Sequence, residues 1–207
     1  MEKNVAISPE QFAQGLTYDA YKAQMTRNQE RFAANEQQVV LDPAAVVAAQ
    51  GLRQPLNVLV LAEDWCGDVI DNLPILGSLA AASDGKLDVR VFLRDQRLDL
   101  MDQYLKGGEF RSIPVFVFFD QGFNELGRLI ERPDSVTERR AQRRQQLYAQ
   151  HPEFGSPDAP VDQLPEEARV ALAQALADMR AELKQQDNQD VQDALRAIVQ
   201  RADGGAA

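Results

Sequence analysis

The sequence predicts an α/β domain on a mixed sheet of at least four strands, flanked by helices and carrying helical extensions at its N- and C-terminal ends. Three observations carry that expectation. Leu56–Ala62 (LNVLVLA) is a continuous β-rich apolar run with no polar alternation, the pattern of a strand covered on both faces. A helical pattern through Val69, Leu73, Leu76, Leu79 and Ala80 separates it from the alternating run Leu87–Leu93 (LDVRVFL), so the first two strands are expected to be parallel across a crossover helix. Val115–Phe119 and Leu126–Ile130 lie either side of the turn Asp120-Gln121-Gly122 and read as an antiparallel hairpin.

The remaining elements follow in order. From about Thr17 to Val40, Tyr18, Tyr21, Met25 and Phe32 recur at helical intervals among polar residues, which predicts a helix whose aromatic stripe is core packing. Asp42-Pro43 reads as an N-cap with proline at the first helical position, opening an Ala/Val helix that ends at Gly51. The crossover helix is expected to stop near Ser83-Asp84-Gly85. Leu98–Leu105 is a short helix stopped by Gly107-Gly108, and Asp134 or Ser135 caps an Arg-rich helix to about Gln150. His151–Pro160 has the Pro, Gly and Ser content of a linker. Beyond it two apolar stripes, Leu164 to Leu183 and Val191 to Val199, flank the polar stretch Gln185–Asn188 and read as a helical hairpin. The expected organisation is therefore a helical arm over residues 1–53, an α/β domain over 54–151, a linker over 152–163 and a hairpin tail over 164–207.

Charge and cysteine content narrow the chemistry. The 207 residues carry 22 basic and 32 acidic side chains, a net of −10, which disfavours neutralisation of nucleic-acid phosphates. More than half of that excess lies in residues 152–207, whereas Arg128–Arg144 is rich in arginine. That arginine run is read as a solvated helix face, with the acidic tail or an acidic partner as the alternative occupant. One cysteine excludes an intramolecular disulfide, and one cysteine with one histidine excludes a structural zinc cluster. MEKNVAISPEQF lacks the apolar core of a signal peptide, and no run of about 18 apolar residues is present to span a bilayer. The expectation is a cytoplasmic protein with neither membrane nor nucleic-acid partner and no cofactor.

Reactive chemistry concentrates at Trp65-Cys66-Gly67-Asp68-Val69, between a buried strand and a helix. Backbone N–H groups at a helix start lack intrahelical partners and favour an anion, so a cysteine there can be activated as its thiolate. Gly67 leaves the sulfur approachable, and Trp65 offers an apolar contact surface. Glu63, Asp64, Asp68 and Asp71 oppose this, because nearby carboxylates disfavour a thiolate. The balance predicts a weakly activated thiol amid a solvated acidic rim that is not a metal site.

A buried strand, then Trp-Cys-Gly opening a helix, then Arg111-Ser112-Ile113-Pro114 entering a later strand, resembles the thioredoxin family over about Leu56 to Gln150. Asp95 and the Asp120–Gly122 turn also fall where that family has an acidic loop and a turn. The chain looks most like a bacterial subgroup of thioredoxin family proteins with helical additions at both ends. The resemblance implies a thioredoxin-like fold in which Ile113-Pro114 is cis, faces the redox motif, and leaves the preceding backbone open to an extended substrate. The departures bear on function. The resolving cysteine of the family corresponds to Val69, its buried aspartate to Val60 and its buried lysine to Val91. Dithiol turnover, in which a second thiol releases the mixed disulfide, is therefore not expected.

The functional expectation is one reactive thiol, Cys66, performing monothiol exchange or thiol redox sensing, with Trp65, Gly67, Asp68, Ile113 and Pro114 contacting the substrate. Its partners would be a protein or a low-molecular-weight thiol or disulfide, with the helical extensions offering a further protein contact. The alternative is a non-catalytic thioredoxin-fold module that binds a peptide or protein. Cysteine hydrolase chemistry lacks a base, since His151 lies beyond the domain. A cluster-assembling monothiol glutaredoxin would carry Cys-Gly-Phe-Ser where this chain has Cys-Gly-Asp-Val.

Overall fold

Leu56–Ala62 forms strand β2, and its position at the centre of the sheet follows from its composition: Val58 through Ala62 are all fully buried. The computed structural model describes residues 7–204. Among them, five strands form one sheet in the order β1-β3-β2-β4-β5. They are β1 (Leu16–Thr17), β2, β3 (Leu87–Leu93), β4 (Val115–Phe119) and β5 (Glu125–Ile130). β2 pairs parallel with β3 and antiparallel with β4, and β5 closes the hairpin on β4. The mixed sheet, its parallel pair and its hairpin are as the sequence predicts.

Helix α5 (Gly67–Ala81) makes the crossover between β2 and β3. It contains Pro74, whose ring nitrogen cannot donate to the carbonyl of Ile70 four residues earlier. The Asn35 side-chain amide donates to that carbonyl instead, at 2.9 Å. Asn35 lies on α3 (Gln29–Gln37), so the break in the ladder of α5 is repaired from the N-terminal arm. Gly77 serves the same packing, since a Cβ there would collide with the Tyr18 ring.

The arm departs from the single helix expected between Thr17 and Val40. Leu16–Thr17 adds an antiparallel edge to β3, and the helical residues divide into α2 (Tyr18–Gln24) and α3. Asn28 between them has a φ of 54°, a left-handed conformation that cannot continue a helix. A first turn, α1 (Pro9–Phe12), precedes β1, and α4 (Pro43–Gln50) is capped by Asp42 as expected. Phe12, Tyr21, Met25, Phe32, Ala45, Ala49 and Leu52 join the same buried cluster as the strands. After β3, helix α6 is one turn, Leu98–Met101, shorter than predicted.

The tail is a correction. Residues Glu166–Gly204 form one helix, α8, and not a hairpin. Gln185–Asn188 is polar, but it contains neither glycine nor proline, so nothing in the backbone stops the helix. The chain divides into two units: one holds the described residues up to Arg132 with those from Val191 onward, and the other is Pro133–Asp190. In the first, Val191, Leu195, Ile198 and Val199 enter the main core. In the second, α7 (Asp134–Gln150) presents arginines that are bound rather than solvated: Arg139 pairs with Asp187 and Asp190, Arg140 with Asp187, and Arg143 with Glu182. No helix among the described residues is long and apolar enough to cross a membrane.

Candidate functional site

Cys66 is the N-cap residue of α5, in extended conformation with φ −84° and ψ 121°. Strand β2 ends at Ala62 and the chain turns through Glu63-Asp64-Trp65, with the Cys66 N–H donating to the Glu63 carbonyl at 3.2 Å. This strand–turn–helix passage leaves Cys66 half-buried and free of any disulfide. Its Sγ donates to the carbonyl oxygen of Ile113 at 3.4 Å. The Ile113–Pro114 peptide bond is cis, and β4 begins at the next residue. The motif and the Ile-Pro pair, 47 residues apart, thus meet at the sulfur.

Opposing influences act on the thiol. Burial pushes its pKa up, the N–H groups of Val69 and Asp68 at the helix start pull it down, and the carboxylates of Asp68 and Glu131 push it up again. The outcome lies above an ordinary cysteine, so the thiol is less activated than the helix start alone would make it.

The four carboxylates expected as a solvated rim are each held. Asp64 accepts from the backbone N–H groups of Thr26, at 2.6 Å, and Arg27, at 2.9 Å, which tie the α2–α3 connection to the cysteine loop. Burial raises the Asp64 carboxyl, but these two amides, with the Thr26 hydroxyl and the Arg27 charge, together hold it below its usual value. Glu63 is buried, accepts from the Asp95 N–H at 2.8 Å, and is pushed up chiefly by burial. Asp71 pairs with Arg31 at 2.7 Å. Asp68 is buried against Arg132. Among the described residues no cluster of histidine, cysteine and acidic side chains is disposed to hold a metal ion.

Trp65 is 41% exposed, and the Arg94 guanidinium stacks over its ring at 4.8 Å. Arg94 also bonds Asp95 and the Arg111 carbonyl, which fixes the indole beside the segment leading to Pro114. Gly67 and Asp68 open α5 next to the sulfur. Val69, Val60 and Val91 are fully buried; Val60 pairs with both Val91 and Phe116 across the sheet. The positions where a resolving thiol and proton-handling groups would stand are therefore apolar core.

Sequence reasoning missed Lys106, Glu131 and Arg132. Lys106 pairs with Glu131 at 2.6 Å, and Arg132 bridges Glu131, at 2.9 Å, and Asp68. The only local signal was Arg132-Pro133 after a strand, which reads as a terminator. The helical spacing predicts Tyr21 as core. It is buried, but its hydroxyl has no hydrogen-bond partner among the described residues, and burial together with the charges of Asp64, Glu63 and Cys66 raises its pKa.

The family model described as Thioredoxin matches residues 15–144, and the chain belongs to that family. No curated protein matches it. A crystal structure of a protein of unknown function from Pseudomonas aeruginosa superposes with a TM-score of 0.64, covering 97% of this chain and 99% of that one at 22% identity. An HIV epitope scaffold superposes at 0.60, covering 95% and 96% at 20% identity. At these identities the two structures establish the shared fold.

Proposed function

We propose that this chain is a thioredoxin-fold protein whose single thiol, Cys66, carries out monothiol thiol–disulfide exchange with a protein or low-molecular-weight disulfide. The observation that carries this reading is the placement of a half-buried cysteine at the N-cap of α5, its sulfur 3.4 Å from the Ile113 carbonyl beside Pro114. Exposed Trp65, with Gly67, Asp68, Ile113 and Pro114, frames the approach to the sulfur.

The chemistry follows from having one thiol. Cys66 loses its proton and its sulfur attacks one sulfur of the substrate; the substrate S–S bond breaks, and the departing thiolate takes up a proton. The product is a mixed disulfide on Cys66. Val69 has no thiol to resolve it, so an external low-molecular-weight thiol attacks, forms a new disulfide with the bound fragment and returns Cys66 as a thiol. As a redox sensor the same sulfur would attack a peroxide, breaking its O–O bond to give a sulfenic acid and releasing the other oxygen as water or an alcohol. A reducing compartment such as the cytoplasm would supply the external thiol.

Incubating the folded protein with an oxidised low-molecular-weight disulfide and measuring intact mass tests this reading. One adduct on Cys66, released by added thiol and missing from Cys66→Ser, supports it; no adduct until the chain is unfolded overturns it. The raised pKa of Cys66 and the apolar core at residues 60, 69 and 91 favour a second reading. In it the fold binds an extended peptide beside Trp65 without chemistry, and the terminal helices add partner contacts. Unreactive Cys66 together with retained peptide binding would establish that alternative.

A further inference from the structure

Glu131 occupies an unusual backbone position. Its φ is 64° although it is not glycine, a conformation that persists only where surrounding contacts over-determine it. Four contacts do so. Its N–H donates to the Pro114 carbonyl at 2.6 Å, and its carbonyl accepts from the Asn72 side chain on α5 at 2.9 Å. Its carboxylate pairs with Lys106 on one oxygen and with Arg132 on the other. The backbone at Ile113 and Pro114 thus touches both partners: Ile113 through Cys66, and Pro114 through Glu131.

Arg132 completes the arrangement. Only 19% of its side chain is exposed, and it binds Glu131 together with Asp68, whose own side chain is 11% exposed. Asp68 lies two residues after Cys66, in the first turn of α5. The same two carboxylates act on the sulfur by charge. A guanidinium that holds both at once is suited to the role, because its planar fork presents several fixed donors and stays ionised.

We propose that Arg132 is a positioning residue for Cys66: by binding Asp68 and Glu131 together, it screens the sulfur from the two carboxylates beside it. The inference rests on the thiol reading above and assigns that site its regulating charge. Asp68 on α5 and Glu131 after β5 act on the sulfur by charge, Tyr21 on α2 is coupled to it, and Glu63 and Asp64 precede it in the turn after β2. Arg132 and Lys106 are the cations that compensate the first two. Removing Arg132 takes this ion pair from Asp68 and leaves Lys106 as the cation beside Glu131, so the thiolate is disfavoured further.

Ultraviolet thiolate absorbance against pH, with Cys66→Ser as the blank, reads this directly and requires no disulfide substrate. Arg132→Gln is expected to move the thiolate inflection upward and to slow alkylation at neutral pH by about three- to tenfold. Arg132→Lys, which keeps a cation, is expected to recover most of the loss, and Asp68→Asn to move the inflection downward. A purely structural Arg132 would lower the melting temperature and leave the inflection where it is; that result overturns the proposal. If Arg132→Gln does not fold, Asp68→Asn decides it, and an unmoved inflection again overturns it. The thiol reading fails separately, on the absence of a mixed disulfide in a protein whose Cys66 still titrates.

Discussion

The Cys66 sulfur donates to the carbonyl oxygen of Ile113 at 3.4 Å, and in doing so it joins the start of α5 to the approach to β4. A carbonyl oxygen accepts from a thiol but repels a thiolate, so this contact belongs to the protonated form. It agrees in sign with burial, which is the largest influence raising the thiol.

The first prediction concerns that sign. The alkylation rate of Cys66 in the folded chain is expected to rise with pH through an inflection above that of an ordinary free cysteine. At neutral pH it should be slower than in the unfolded chain, where burial no longer acts. Rates across a pH series, folded and in denaturant, check this; a folded-state inflection below the ordinary value contradicts it.

Glu63→Gln tests the buried carboxyl after β2. Burial raises the folded-state pKa of Glu63 above its unfolded value, so the folded chain holds this proton more tightly. At pH values above that raised pKa, the ionised side chain therefore costs stability, and the cost disappears as pH falls below the unfolded pKa. Glutamine keeps an acceptor for the Asp95 N–H and carries no charge. The variant is expected to be at least as stable as the wild type at neutral pH, with the difference shrinking toward acid. Denaturant unfolding at neutral and acidic pH measures it, and a variant less stable at neutral pH would refute it.

Val69→Cys restores a second thiol. Residue 69 is three positions after Cys66 and within the first turn of α5, where the two side chains share a face. Val69 is fully buried, and cysteine is smaller, so packing tolerates the change. The variant is expected to form an intramolecular disulfide and to reduce a protein disulfide repeatedly with an external reductant. With Val60 in place of a buried carboxyl, turnover should remain about a hundredfold below that of a full dithiol enzyme. An unchanged rate, with no disulfide formed, would show that residue 69 is not in reach of Cys66.

The legible and illegible parts of this chain divide by range. β2, β3, β4 and α5 are written in local apolar patterns, and Trp65-Cys66-Gly67 between a strand pattern and a helix pattern locates the sulfur at a strand-to-helix turn. Leu16–Thr17 is too short to show a strand period, and it becomes a strand only by pairing with Val91 and Arg90. Asn28 ends a helix by its left-handed conformation, within a sequence that otherwise keeps helical spacing. Polarity at Gln185–Asn188 suggests a break between two helices, yet polarity without glycine or proline does not interrupt a helix, and Glu166–Gly204 is continuous. The Lys106–Glu131–Arg132–Asp68 chain joins residues up to 64 positions apart, and nothing local marks them as neighbours. The same is true of Asn35, which lies 35 positions before Ile70 and reaches the carbonyl that Pro74 cannot serve only once α3 and α5 have packed together.

The most direct measurement of the central claim is the rate of protein-disulfide reduction with a low-molecular-weight thiol present, comparing wild type and Cys66→Ser at equal concentration. The account predicts that the wild type accelerates reduction above the thiol alone and that Cys66→Ser does not. Without added thiol, the wild type should stop after one equivalent, as a mixed disulfide. Equal rates for the wild type and Cys66→Ser would contradict it, because Cys66 would then not be the nucleophile.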